Sequence, residues 1–129
     1  MARILVIEDD VTFLSLLRVH LSSAGHTVET AEDAALGLRA IVSNSPDLVI
    51  LDLTVPYLDG FELLEAVRED PMTRAIPVIV VTGRDDDASY VRAKKIGAEG
   101  YFTKPVQREQ LIKAIEICLA AGQSSSASD

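Results

Sequence analysis

Hydrophobic positions along the chain alternate between short continuous runs and longer segments in which apolar residues recur at helical spacing. The runs Leu48–Leu51 and Val78–Val81 are apolar at every position, which is typical of strands buried on both faces of a sheet. Leu14, Leu17 and Leu21 instead recur every three or four residues, and this spacing predicts an amphipathic helix.

The whole chain divides into five predicted strands and five predicted helices in strict alternation. The strands are Ile4–Ile7, Thr27–Thr30, Leu48–Leu51, Val78–Val81 and Gly100–Thr103. The helices cover about 11–24, 33–43, 61–69, 86–96 and 107–121. Buried strands separated by helices imply a parallel sheet covered on both faces, because a helix is the usual crossover between parallel strands. We therefore expect one α/β domain over residues 1–122, with residues 123–129 as a disordered Ser-rich tail or linker stub.

Composition narrows the class of protein. The chain has 129 residues, of which 48% are hydrophobic and 25% charged, a profile typical of one globular domain. Its 20 acidic and 12 basic residues give a net charge of −8, which argues against direct nucleic-acid binding because phosphate backbones select basic surfaces. The longest apolar run is Ile117–Ala121, too short to cross a membrane. No signal-peptide pattern opens the chain, so we expect a cytoplasmic protein.

Charged or hydroxyl side chains follow four of the five predicted strands. These residues are Glu8, Asp9 and Asp10 after the first strand, Asp52 after the third, Thr82 after the fourth and Lys104 after the fifth. Because the carboxyl ends of parallel strands meet at one edge of a sheet, we expect these side chains to lie close together. Converging carboxylates favour a hard cation such as Mg²⁺.

One of those carboxylates could itself be a nucleophile and form an aspartyl phosphate. The transition state of such a transfer is stabilised by a metal, an ammonium and a hydroxyl donor, and Asp9, Lys104 and Thr82 are of those types. Taken singly, each residue could be a helix cap or a turn residue, since acidic side chains are common at helix N-termini. Their convergence at one edge favours phosphoryl transfer.

These motifs, in this order and spacing, resemble the receiver domain of two-component response regulators over residues 3–121. The matching segments are residues 4–10, 46–56, 59–60, 77–83, 97–98 and 100–105. The resemblance implies a flavodoxin-like doubly wound (βα)5 fold, with a parallel five-stranded sheet in the order 2-1-3-4-5. It also implies a phosphorylation-dependent signalling switch that is not an enzyme in the ordinary sense, although such a domain assists its own phosphorylation and dephosphorylation.

The resemblance assigns the carboxylates to a metal and phosphate site. Asp52 is the expected phosphoacceptor, and Glu8 and Asp9 are the expected acidic pair for Mg²⁺, or alternatively Mn²⁺. Asp9 is expected to bind the cation directly and Glu8 through water, while Asp10 lies at the surface. Thr54 is expected to offer its backbone carbonyl to the metal.

The same resemblance assigns the remaining matched residues to a switch. Thr82 is expected to contact the phosphoryl group and move toward it, and Lys104 to pair with Asp52 and later with the phosphate. Tyr101 stands at the aromatic switch position, whose ring turns inward when Thr82 moves. A cis peptide bond is expected before Pro105, where X–Pro bonds tolerate it.

The implied partners are a sensor histidine kinase or a histidine phosphotransfer protein on the input side. On the output side, the fourth helix, fifth strand and fifth helix are expected to contact an output domain or partner, or a second copy in a phosphorylation-linked homodimer. Two alternatives stay open: a receiver-like interaction module that no longer takes phosphate, and a haloacid-dehalogenase-type phosphatase. A phosphatase of that type would need a second acidic residue two positions after the nucleophile Asp52, where this chain has Thr54. His20 and His26 are expected at the surface.

Overall fold

The computed structural model describes residues 2–56 and 59–127, and within them it contains the ten expected elements in the expected order. The strands are β1 (Arg3–Ile7), β2 (Thr27–Ala31), β3 (Leu48–Leu51), β4 (Val78–Thr82) and β5 (Gly100–Thr103). The helices are α1 (Val11–Ser23), α2 (Ala34–Ser43), α3 (Gly60–Glu69), α4 (Asp87–Ile96) and α5 (Arg108–Ala127). No helix in these two ranges is both long enough and apolar enough to cross a membrane.

All neighbouring strands pair in parallel, in the order β2-β1-β3-β4-β5. The flavodoxin-like fold class is therefore confirmed. The chain first extends the sheet from β1 to β2 and then crosses to β3 on the other side, so the strand order reverses between β1 and β3. Ligands of such sheets bind at the carboxyl ends of the strands beside this reversal. Ile7 and Leu51 are paired across it, so Glu8 and Asp52 leave the sheet next to each other.

Side chains alternate along the central strands between two buried layers. Leu5, Val49 and Val80 face the layer formed with α2, α3 and α4, whereas Val6 and Ile50 face the layer formed with α1 and α5. Because both faces of the sheet are covered, its strands are apolar at nearly every position. The continuous runs in the sequence thus follow from burial on two sides, and in the central strands polar groups lie at the strand ends.

Aspartates begin four of the helices as N-caps. The carboxylate of Asp10 accepts hydrogen bonds from the amides of Thr12 and Phe13, and Asp33, Asp59 and Asp86 cap α2, α3 and α4 in the same way. Each cap satisfies backbone N–H groups that have no partner inside the helix. Much of the acidity near the carboxyl edge of the sheet is therefore structural.

Two sequence expectations need correction here. The helix predicted to end at Ala121 continues to Ala127, since Gly122 costs a helix only about 1 kcal/mol relative to alanine and no proline follows it. Residues 128 and 129 lie outside the described residues. The division into a domain at 1–122 and a disordered Ser-rich tail or linker stub at 123–129 stays a prediction.

The surface position expected for His26 is also wrong, because its side chain is only 5% exposed. Its Nδ1 accepts a hydrogen bond from the amide of Ala2 at 3.3 Å, and its Nε2 lies 3.1 Å from Glu116 Oε1. The ring therefore links β1, the start of β2 and α5 at the amino end of the sheet. Nothing local in the sequence indicates this, since the partners are far apart along the chain.

Gly60, the first residue of α3, packs against the backbone of the loop that follows β3. A Cβ atom at Gly60 would lie 2.5 Å from Leu53 Cα and 2.8 Å from the Leu53 carbonyl oxygen. Backbone cannot move aside as a side chain can, so only glycine fits. This contact fixes the backbone of Leu53, the residue that follows Asp52.

Gly60→Ala is therefore expected to lower the free energy of unfolding by about 1–3 kcal/mol through overpacking, although alanine is the better helix former. Gly83→Ala is the matched control, because a Cβ there meets nothing within 4 Å. Urea denaturation of both variants measures the difference. A Gly60→Ala protein as stable as the natural chain would contradict the proposed close approach.

Candidate functional site

Three carboxylates meet where the strand order reverses. One carboxylate oxygen from each of Glu8, Asp9 and Asp52 lies within 4.8 Å of the other two. Glu8 and Asp52 are 2% and 3% exposed, whereas Asp9 is exposed. The cluster thus has two buried members, which directly follow β1 and β3, and one member open to solvent.

Asp52 is held by four hydrogen bonds. Its Oδ1 accepts from the Thr54 amide at 3.0 Å, the Thr54 hydroxyl at 2.9 Å and the Thr82 hydroxyl at 2.9 Å. Its Oδ2 accepts from Lys104 Nζ at 2.9 Å. Burial by itself would raise the pKa of Asp52, but these hydrogen bonds outweigh it and hold the pKa below its usual value. Asp52 is therefore an ionised carboxylate with a fixed orientation.

Lys104 bridges the two buried carboxylates. Its ammonium lies 2.6 Å from Glu8 Oε1 and 2.9 Å from Asp52 Oδ2, and 4.5 Å from the centre of the Phe13 ring. Burial lowers the pKa of Lys104, but the hydrogen bonds that its ammonium donates to Glu8 and Asp52 raise the pKa more. The peptide bond between Lys104 and Pro105 is cis, as expected.

The pKa of Glu8 shifts in the opposite direction to that of Asp52. Burial raises the pKa of Glu8, and its hydrogen bonds with Lys104 and with the Asp10 amide offset this only in part. The negative charge of Asp52 adds to the rise. One ammonium thus serves two buried carboxylates, and Asp52 differs from Glu8 because it also accepts hydrogen bonds from Thr54 and Thr82. Three carboxylates against one ammonium leave an excess of about two negative charges, which suits a divalent cation with oxygen ligands.

A chain of contacts runs from Asp52 to the surface through Thr82. The Thr82 side chain is fully buried, and its hydroxyl oxygen lies 3.4 Å from the Arg84 amide, a weak hydrogen bond. The hydroxyl of Tyr101 donates to the Arg84 carbonyl at 2.9 Å. The half-buried Tyr101 ring packs edge-to-face against Tyr90 at 5.3 Å. Burial raises the pKa of Tyr101, and the nearby Asp86 raises it further.

The structure thus places the predicted site residues at one edge and adds contacts that sequence reasoning missed. Thr54 was expected to contribute only its carbonyl, but its amide and hydroxyl both bind Asp52. The contact between Lys104 and Phe13 was also missed. One local signal for the hydrogen bond between the Thr54 hydroxyl and Asp52 was available in the sequence. Thr54 stands two residues after Asp52, and threonine hydroxyls often form hydrogen bonds with residues nearby in the chain.

Comparison with known proteins gives a consistent result. A family model described as "Response regulator receiver domain" matches residues 4–116. Protein PilH of Pseudomonas aeruginosa is 40% identical over 120 residues, which cover 93% of this chain and 99% of that protein. Response regulator PleD of Caulobacter vibrioides is 32% identical over 114 residues, which cover 88% of this chain but only 25% of PleD.

A solved structure agrees with these relatives. It is that of a CheY-like response regulator receiver domain protein from Methanospirillum hungatei, with a TM-score of 0.90 and 30% identity, covering 97% of this chain and 98% of that one. The similarity to this structure therefore extends over nearly the whole chain. Protein PilH is similar in length to this chain, whereas PleD is about four times longer than the matched segment.

The central ion pair generates a pH-dependent prediction. Lys104→Met should lower the free energy of unfolding by about 2–3 kcal/mol at neutral pH, because two buried carboxylates lose their counter-ion. The lowered pKa of Asp52 stabilises the fold above the ordinary carboxyl pKa, and this stabilisation is lost as the pH falls through the folded pKa. The raised pKa of Glu8 makes its ionisation unfavourable as the pH rises. The deficit is therefore smaller at about pH 4, where Glu8 takes up a proton and no longer needs the ammonium, whereas the Asp52 contribution is lost only below the ordinary carboxyl pKa.

Urea denaturation at the two pH values measures this deficit, with Lys95→Met as control because Lys95 is exposed on α4. An equal loss at both pH values would mean that the packing of Lys104 on Phe13, not its charge, stabilises the site.

Proposed function

Because the chain belongs to the family of response regulator receiver domains of two-component systems, we propose that it is a phosphorylation-dependent switch with Asp52 as phosphoacceptor. The observation that carries the proposal is the environment of Asp52. A buried, ionised carboxylate receives a hydroxyl hydrogen bond from Thr82 on one oxygen and an ammonium hydrogen bond from Lys104 on the other. These are the donors that a phosphoryl group on Asp52 would need.

In the proposed reaction, a carboxylate oxygen of Asp52 attacks the phosphorus of a phosphohistidine on a sensor kinase or phosphotransfer protein. A phosphorus–oxygen bond forms as the phosphorus–nitrogen bond breaks, and the histidine nitrogen keeps the electron pair. The hydrogen bonds from Thr54 and Thr82 hold the attacking carboxylate in place. Hydrolysis later returns Asp52 to its free form, so the domain takes part in its own phosphorylation and dephosphorylation.

The carboxylates fit a divalent cation, Mg²⁺ or Mn²⁺. We propose that Asp9 and Asp52 hold it directly, Glu8 holds it through water, and the Thr54 carbonyl completes the protein ligands. When bound, the cation neutralises charge on the phosphoryl oxygens. The proximity of the three carboxylate oxygens supports this set. Asp10 is left out, because its carboxylate already caps α1.

The switch follows from the charge that phosphorylation adds to the pocket. Thr82 and Lys104 both bind Asp52 before reaction, and both would transfer their hydrogen bonds to phosphoryl oxygens. Movement of Thr82 alters its contact with the Arg84 amide, and the Arg84 carbonyl is bound to Tyr101. The chemical change therefore reaches the face formed by α4, β5 and α5 as a shift between two states.

This face presents groups suited to a protein partner. Tyr90 and Val91 are 48% and 57% exposed, and Lys94 and Lys95 are exposed beside them on α4. We propose that an output domain, a separate partner or a second phosphorylated copy binds here, in the cytoplasm. No role in direct nucleic-acid binding is proposed for this domain.

Incubation with acetyl phosphate and Mg²⁺ should add the mass of one phosphoryl group, and Asp52→Asn should abolish the gain. Asp85→Asn, an exposed carboxylate near the site, is the control and should still be phosphorylated. Beryllofluoride should shift the NMR signals of Tyr101 and of its neighbours in α4. A natural chain that gains no mass and shows no such shifts would instead favour the receiver-like interaction module.

The assignment of the acidic pair is tested separately. Asp9→Ala should weaken Mg²⁺ binding, measured by NMR titration, far more than Asp10→Ala does. Asp10→Ala should instead lower stability by about 1 kcal/mol, because α1 loses its cap. Equal effects of the two variants on Mg²⁺ affinity would contradict the assignment.

A further inference from the structure

Asp52 Oδ1 is surrounded by more donors than it has lone pairs. A carboxylate oxygen offers two lone pairs, yet Oδ1 accepts from the Thr54 amide, the Thr54 hydroxyl and the Thr82 hydroxyl at 2.9–3.0 Å. Oδ2 faces the ammonium of Lys104 at 2.9 Å. A cation that binds Oδ1 must therefore displace a hydrogen-bond donor, whereas a cation at Oδ2 would lie beside the positive charge of Lys104.

The three donors on Oδ1 differ in how readily they can leave. The Thr54 amide is part of the backbone, in a loop that packs closely on Gly60 through Leu53. The Thr82 hydroxyl is fully buried, and leaving Asp52 would deprive it of its partner away from water. The Thr54 side chain is exposed, so its hydroxyl can exchange Asp52 for water and leaves at the lowest cost of the three donors.

The Thr54 hydroxyl is also unnecessary for orienting Asp52. The Thr54 amide and the Thr82 hydroxyl already fix Oδ1, and Lys104 fixes Oδ2. A redundant donor on a metal ligand stabilises the metal-free carboxylate without improving its placement. Its main effect is then on the free energy of metal binding.

We propose that the Thr54 hydroxyl is an internal competitor for the divalent cation: it occupies Asp52 Oδ1 in the metal-free domain and must be displaced when the cation binds. Thr54 is thus a positioning residue that acts through Asp52 and does not contact the phosphoryl group. This inference rests on the metal site of the proposed function, and it adds that the residue two positions after Asp52 sets the cation concentration at which the site fills.

Thr54→Val keeps the β-branched shape and removes the hydroxyl. Thr54→Ala removes the hydroxyl together with the methyl branch. Both variants should bind Mg²⁺ about three- to tenfold more tightly, the range expected when the net free energy of one solvent-exposed hydrogen bond no longer has to be overcome. Thr54→Ser retains the hydroxyl and should restore the weaker binding. Thr27→Val is the matched control, an exposed threonine at the amino end of β2.

Mg²⁺ affinity is measured by calorimetry and by NMR titration of the full chain, and amide spectra without metal establish that each variant is folded. Unchanged or weaker binding by Thr54→Val and Thr54→Ala would overturn the proposal. Tighter binding by Thr54→Ser would also overturn it, because the hydroxyl would then not be the cause.

Acetyl phosphate labelling of the natural chain separates this inference from the proposed function. If the natural chain binds Mg²⁺ but gains no phosphoryl group, the proposed switch fails, while the ratio of variant affinities still supports or overturns the role of Thr54. A natural chain that binds no Mg²⁺ overturns both the metal site and the competitor.

Discussion

The ion pair between Lys104 and two buried carboxylates is the interaction on which the site depends. Glu8 and Asp52 leave neighbouring strands at the same edge of the sheet, where two carboxylates removed from water repel each other. The ammonium lies within 2.9 Å of both, so the end of β5 is tied to the ends of β1 and β3 across the intervening strand. Because one positive charge cannot neutralise three carboxylates, the same arrangement that stabilises the fold leaves the edge attractive to a divalent cation.

The rest of the fold restricts polar groups of the central strands to the edges of the sheet, and the site lies at the carboxyl edge. Helices cover both faces of the sheet, and its central strands β1, β3 and β4 are therefore apolar between their end residues. Gly60 allows α3 to approach the backbone beside Asp52, and Asp10 begins α1 directly after the acidic pair. Buried polar groups at the edge are satisfied by one another, and no buried side-chain nitrogen or oxygen among the described residues lacks a partner. Side chains satisfied in this way are held in defined orientations before any ligand binds.

Several features could be predicted because they depend on local patterns. Apolar runs and helical spacing indicate the ten elements, and their alternation implies the parallel sheet. The residues that follow the strands are those that meet at its carboxyl edge. Features that depend on distant partners could not be predicted in this way. His26 is buried because Ala2 and Glu116 meet its ring, and Arg68 on α3 is fixed by the carbonyls of Gly97 and Ile76.

The identities and order of the charged groups can be read from the amino-acid sequence, since hydrophobic periodicity indicates the strands and strand direction indicates the edge. How those groups share protons and hydrogen bonds depends on the folded arrangement. Asp52 and Glu8 are both carboxylates beside Lys104, yet the pKa of Asp52 falls and that of Glu8 rises. The physical reason is that the balance between burial and hydrogen bonding depends on the number and direction of donors around each oxygen. Those donors come from four separate segments that only the folded chain brings together.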